Sequence, residues 1–316
     1  MEVAILGASD PEMERIERLL RSGGYRVLYA AKDGRRVSPS VAYEAEEVLD
    51  EEGELVEREV VEGREVQEVL LVECGVSGIE GRLIDHHNPG DPGYGVRPTS
   101  FLSGSSLGQV MEYLAEEWAV YSRWDDAWLL GGRKIPEDLL LACAADHCLA
   151  AAYWGQCPGI DPERLCEWRI ETRARFQGAK VERVRARLDR MRQWLSQAPK
   201  ERFANGWLIN CLPGGGAGVV CGEHGVECDG QHPDGRCWGH VPGGRMMEIV
   251  DAAMLEMVAI VSRPRARPGE RSDKVMLLSA TPEQVKAWLR GEGPPAACRM
   301  ETRRGLPERG FGFGAL

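Results

Sequence analysis

Asp85-His86-His87 sets a carboxylate and two imidazoles side by side, directly after the apolar run Arg82-Leu83-Ile84 and directly before a loop rich in Gly and Pro, Asn88 to Gly95. At the C-terminal end of a strand such a tripeptide can hold a divalent cation at the lip of an α/β sheet, because the strand fixes the ligands and the loop leaves room for a substrate. The chain has only six histidines. His86, His87 and His147 lie near acidic residues, and His224, His232 and His240 lie among cysteines. Asp146-His147 sits inside the apolar stretch Leu139 to Tyr153, where an ionisable pair is costly unless it is paired or metal-bound.

A second constellation lies further along. Cys221-x2-His224 and Cys237-x2-His240 are identical ligand pairs separated by 12 residues, with Cys228 and His232 between them. Tetrahedral zinc takes such paired sulfur and nitrogen ligands, and the Gly/Asp/Pro-rich segment offers little core of its own. One structural zinc on Cys221, His224, Cys237 and His240 is expected. A reduced loop, or a disulfide within the cluster, stays open as the alternative.

The elements that position these residues read as α/β. Val3 to Leu6 is a strand, Met13, Ile16, Leu19 and Leu20 follow at helical spacing to Gly23-Gly24, Tyr25 to Ala30 is a second strand, Leu55 to Val61 an exposed one, and Val69 to Val72 a buried one. Helices alternating with strands predict a largely parallel N-terminal sheet flanked by helices, with ligand groups at the strands' C-terminal ends. Ser106-Leu107-Gly108-Gln109 matches a capping box opening the next helix, whose apolar face runs to Trp118. Pro136-Glu137-Asp138 starts a helix that continues through the apolar stretch to Tyr153. Domains are expected at 1–160 and 203–316, joined by helices over 161–202, with the second a smaller α/β unit carrying the Cys/His-rich insertion 213–244. Its strands are placed at Trp207 to Cys211, Val258 to Val261 and Lys274 to Leu278, and its helices at Met246 and after Thr281. The tail Arg309-Gly310-Phe311-Gly312-Phe313-Gly314 suits stacking on a base, although a frayed terminus is the default for such a sequence.

Composition narrows the function. With no apolar run near the ~20 residues of a membrane span and no basic, apolar leader after Met1-Glu2, a cytoplasmic protein without a membrane partner is expected. A net charge of −11 disfavours long duplex nucleic acid. A small anionic substrate or a short strand, held locally by arginines, remains compatible.

Read in order, the acidic stations and Asp-His-His resemble the DHH phosphoesterase superfamily, which includes RecJ-type exonucleases, nanoRNases and cyclic-dinucleotide phosphodiesterases. Asp10-Pro11-Glu12-Met13-Glu14, Glu73 after its buried strand, Asp85-His86-His87 and Asp146 occupy the family's stations over about residues 1 to 160. Glu12, Glu14 and Glu73 stand where the family has aspartates, and Ala8 where it has a histidine. The resemblance implies manganese or magnesium chemistry, with Asp10, Glu12 and Glu14 from the first motif, His86 and Asp146 on the second ion, and Glu73 bridging. It further implies that His87 meets the phosphate or protonates the leaving oxygen while Asp85 orients the histidines. The substrate implied is a phosphodiester in a nucleotide, cyclic dinucleotide or short single-stranded oligonucleotide; the alternative is a non-catalytic relative that binds a nucleotide or a protein. If His86 and Asp146 share an ion, their heads must lie within about 8 Å.

Overall fold

Four consecutive apolar residues can all be buried only if both faces of their strand are covered, and Val3, Ala4, Ile5 and Leu6 are each 0% exposed. The structure, a computed structural model, describes residues 2–39, 41–61, 63, 66, 68–115, 119–124, 127–212, 217, 246–262, 274–294, 302–307 and 310–315. Strand β1 (Glu2–Leu6) leads into helix α1 (Met13–Ser22), then β2 (Arg26–Lys32), β3 (Arg35–Arg36), β4 (Glu47–Leu49), the short helix α2 (Arg58–Val61), β5 (Glu68–Val72) and β6 (Arg82–Ile84). The sheet runs β3-β2-β1-β5-β6, with β4 also on β2. Strands β2, β1, β5 and β6 are parallel, and β3 and β4 turn back antiparallel on β2. One face packs Val3, Ile5, Leu28, Val69 and Leu71 against Val61, Val76 and Ile79.

Helices α3 (Phe101–Gly104) and α4 (Ser106–Leu114), a three-stranded antiparallel sheet of β7 (Tyr121–Trp124), β8 (Ala127–Leu130) and β9 (Arg133–Lys134), and helix α5 (Glu137–His147) complete this unit. It comprises Met1–Cys148 and Gln156–Asp161. Helix α1 packs on α4, and α4 on α5. Arg15, 1% exposed, ties α1 to α5: its Nε and Nη2 donate to the Asp138 carboxylate at 2.7 and 2.6 Å, and Nη1 donates to Pro11 O at 2.6 Å.

The second unit comprises Leu149–Gly155 and Pro162–Leu316, so the helices expected as a connection belong to it. Its elements are α6 (Leu149–Tyr153), α7 (Pro162–Phe176), α8 (Val181–Gln197), β10 (Glu201–Phe203), β11 (Gly206–Asn210), α9 (Met246–Leu255), β12 (Val258–Ser262), β13 (Lys274–Leu278), α10 (Pro282–Leu289), β14 (Thr302–Leu306) and β15 (Phe311–Ala315). The sheet order is β10-β11-β12-β13-β15-β14, parallel only between β11 and β12. Thr281 and Gln284 form the reciprocal capping box that opens α10.

Several local expectations are corrected. Leu55 to Val61 is not a strand: Leu55 makes one bridge to Leu49, and residues 58–61 are helical. A period of two would have put Glu57 and Glu59 on the same face as Val61, which is fully buried, whereas one helical turn buries Val61 alone and leaves Val60 exposed. The cap of α4 is Ser105, whose Oγ accepts from Gly108 N, one residue before the serine expected. Gln109 is thereby released from capping, and its Nε2 donates to Asp85 O at 3.1 Å. The helix to Tyr153 breaks at Cys148, which leaves helical geometry at φ −144 and ψ 47. The tail is no frayed end, because β15 lies between β13 and β14. Arg309 lies outside the described residues, as do Trp118 and 213–216. Among the described residues no helix is long and apolar enough to cross a membrane.

Candidate metal centre

Three strand ends and two helix ends meet at the C-terminal edge of the parallel sheet. Gly7, at the end of β1, donates to Val72 O at 2.9 Å, and a Cβ there would stand 2.3 Å from Glu73 O. Only glycine lets β1 and β5 close this tightly. Glu73 follows β5 with φ +51, a left-handed conformation that costs a non-glycine residue about 1 kcal/mol or more. This strained turn aims its carboxylate at the end of β6.

The ligand atoms of Glu12, Glu73, His86 and Asp146 lie within 4.8 Å of one another, and Glu73, His86 and His87 form a second, overlapping group. His86 Nε2 is 2.7 Å from Asp146 Oδ2 and 3.4 Å from Glu73 Oε1, well inside the bound expected for a shared ion. Glu12 comes from the turn before α1, 4% exposed, with Oε1 accepting from Leu107 N at 2.9 Å. Its other oxygen, Oε2, and Glu73 Oε1 are buried and have no hydrogen-bond partner. Burial, then the charges of Asp146 and Glu73, push the Glu12 carboxyl well above its ordinary range. Three carboxylates around one imidazole, two of them with oxygens lacking a hydrogen-bond donor, are a poor hydrogen-bonding design and a donor set that could hold a metal ion.

The tautomer of His86 follows from its neighbours. Val96 O can only accept, so His147 Nε2, 2.9 Å away, carries hydrogen and leaves Nδ1 as an acceptor. His86 Nδ1 lies 3.0 Å from that nitrogen and can donate to it; Nε2, 2.7 Å from Asp146 Oδ2, then turns its lone pair to a cation held between the two, and carries a proton to Asp146 when no cation is there. A Cβ on Gly104 would stand 2.4 Å from His147 Nε2, so glycine is required for this approach. His147→Ala is accordingly expected to weaken manganese binding about 10- to 100-fold while the ligands stay in place; calorimetric titration checks it, and an unchanged affinity would remove His147 from the account.

Asp85 is 0% exposed and organises the loop. Its Oδ1 accepts from His86 N, His87 N and His87 Nδ1 at 2.6, 3.0 and 2.8 Å, and its Oδ2 accepts from Tyr43 OH at 2.8 Å. Although burial pushes the carboxyl up, the His87 and Tyr43 hydrogen bonds hold it below its ordinary value. His87, 32% exposed, then presents Nε2 as its basic nitrogen.

Asp10 and Glu14 fall differently. Asp10 Oδ1 accepts from Met13 N at 2.7 Å and so caps the turn into α1. Burial, with the charges of Glu73 and Asp146, raises its carboxyl to about 7, although it belongs to neither ligand group. Asp10→Ala is expected to cost about 1 kcal/mol in a thermal melt, the worth of a cap; a loss of metal with no loss of stability would make it a ligand instead. Glu14 is outside both ligand groups, because two residues beyond Glu12 is more than half a helical turn and its side chain leaves on the other side. The expected zinc ligands Cys221, His224, Cys237 and His240 lie outside the described residues. Six cysteines are described and buried, and among them Cys148 Sγ lies 2.9 Å from Cys157 Sγ.

The sequence sets His147 beside Asp146 without a role and offers Gln109 only as a capping-box residue, and it holds no spacing signal for Tyr43 or Arg15. Comparison with protein-family models, curated proteins and solved structures found no match.

Proposed function

We propose that the chain is a metal-dependent phosphoesterase of the DHH type, binding one divalent cation through Glu12, Glu73, His86 and Asp146 and hydrolysing a phosphodiester in a nucleotide, cyclic dinucleotide or short oligonucleotide. The observation that carries this reading is the pair of orphaned carboxylate oxygens, Glu12 Oε2 and Glu73 Oε1, buried against His86 Nε2 and Asp146. A manganese or magnesium ion held there would neutralise phosphoryl oxygens and acidify a bound water. His147 and Val96 keep His86 in the ligating tautomer. Asp85, braced by Tyr43, holds Nδ1–H of His87, whose partly exposed ring can, once protonated at Nε2, give that proton to the leaving oxygen.

Ala8, in the place of the histidine of the family's first ion site, favours a second reading in which the same cation site serves binding without turnover. A screen of short oligonucleotides, cyclic dinucleotides and a chromogenic phosphodiester with manganese separates the two. Turnover that His87→Ala lowers about 100-fold or more supports hydrolysis. Tight manganese binding with no turnover of any phosphodiester supports the binding role.

A further inference from the structure

Arg36 stands on β3, paired with Ala31 just where β2 ends at the same edge of the sheet as the ligand cluster. Its Nε donates to Gly7 O at 2.8 Å, and its guanidinium carbon lies 4.4 Å from the centre of the Tyr29 ring. The fork is therefore fixed in direction. Its Nη2 is buried and has no hydrogen-bond partner. An unused Nη2 donor on a partly buried cation is costly.

The position gives that group a use. Gly7 lies against Glu73, so the guanidinium ends on the strand next to the one that carries the cation ligand, a lateral step of about 5 Å. A cation at the cluster and the free edge of Arg36 would thus present positive charge to the same space from two sides. An anion with several oxygens complements that arrangement, and a guanidinium fork matches phosphate geometry better than an ammonium does.

We propose that Arg36 is the anion-binding residue of this centre, its Nη2 donating to a non-bridging oxygen of a substrate phosphoryl group. The identity of the anion as a phosphoryl group rests on the function proposed above, whereas the anion site itself rests on the geometry of Arg36. Inorganic phosphate titrated calorimetrically into the magnesium-loaded full chain provides the test. Arg36→Gln and Arg36→Met, the second keeping the packing on Tyr29, are expected to weaken phosphate binding about 10- to 100-fold and leave magnesium affinity unchanged. Phosphate affinity equal to that of the unaltered chain, or no phosphate binding by the unaltered chain, would overturn the proposal. If both variants fail to fold, the Arg36 Nε–H nuclear magnetic resonance signal of the unaltered protein decides: it should shift on adding phosphate, and an unmoved signal counts against the site. If magnesium does not bind at all, the titration is repeated on the metal-free chain. Phosphate binding that still depends on Arg36 then upholds the anion site while the cation reading fails, and binding independent of Arg36 overturns the site.

Discussion

Glu12→Gln is expected to stabilise the metal-free protein and to weaken the manganese-loaded one, so a single substitution changes sign with the ion. Glutamine keeps an oxygen for Leu107 N and removes a buried charge that faces Asp146 and Glu73 without a partner for Oε2. Without metal, the folded protein holds the Glu12 proton well above the ordinary value of 4.5, while the unfolded chain has lost it. A folded state that binds more protons loses stability as pH rises, so the metal-free chain should weaken from about pH 4.5 upward through the folded value, and the glutamine variant should lose Glu12's share of that slope while keeping the share of Asp10, whose carboxyl is also raised. The gain at mildly alkaline pH should be about 1–3 kcal/mol, the cost of one unsatisfied buried polar group. With manganese, loss of a ligand should exceed the roughly 10- to 100-fold effect of losing an outer partner. Urea denaturation at two pH values, with and without manganese, reads both signs. Equal destabilisation under all conditions would make Glu12 a structural acceptor for Leu107 and nothing more.

The largest stability effect should come from the second unit, at Asp251. This carboxylate is 0% exposed on α9 and takes Arg169 Nε at 2.6 Å, Arg173 Nη2, and Tyr153 OH at 3.0 Å. Arg169 Nη2 and Arg173 Nη1 are already without partners, so the two guanidiniums depend on this one anion. Asp251→Asn leaves both charges buried and uncompensated, for which a loss of about 3–5 kcal/mol is expected. Burial works against the carboxylate, yet Arg169 and Arg173 hold its pKa below the ordinary 3.8. A depressed folded pKa contributes stability that is complete above the unfolded value and is lost as pH falls through the folded one. The difference between the two proteins should therefore be constant from pH 5 to 8 and narrow only in acid. An asparagine variant as stable as the parent would show that the arginines find other partners.

Both predictions act on groups that differ sharply in how well the sequence announces them. The parallel sheet was legible because Val3 to Leu6 and Val69 to Val72 are unbroken apolar runs, which only doubly covered strands bury. Asp85-His86-His87 and Asp146 were legible as chemistry set in apolar surroundings, and the structure brings His86 and Asp146 to 2.7 Å. The rest depended on tertiary geometry. Arg15 is buried and pairs with Asp138, 123 residues away, a partner that no local pattern announces. Separating Glu12 from Glu14 required the phase of α1 about its axis, which the position of the helix start sets to within a residue. The cap of α4 moved by one residue because two adjacent serines satisfy the same local rule, and Ser105 has the extended backbone a cap needs. Tyr43 reaches Asp85 from a short 3-10 helix, Ala42–Glu44, and Arg36 stands on an edge strand, positions to which no periodicity points.

The most direct test of the cation site is manganese binding to the purified chain, followed by electron paramagnetic resonance in parallel with His86→Ala. About one equivalent should lose its free-ion signal, as one closed set of protein ligands requires, and the alanine variant should keep its fold while the bound fraction disappears. Because a ligand that binds only the folded protein at 100 times its Kd stabilises by about 2.7 kcal/mol, the same samples should melt later with manganese only when His86 is present. A folded parent that leaves manganese free, or an alanine variant that binds it as well as the parent, would contradict the assignment of Glu12, Glu73, His86 and Asp146 as a metal centre.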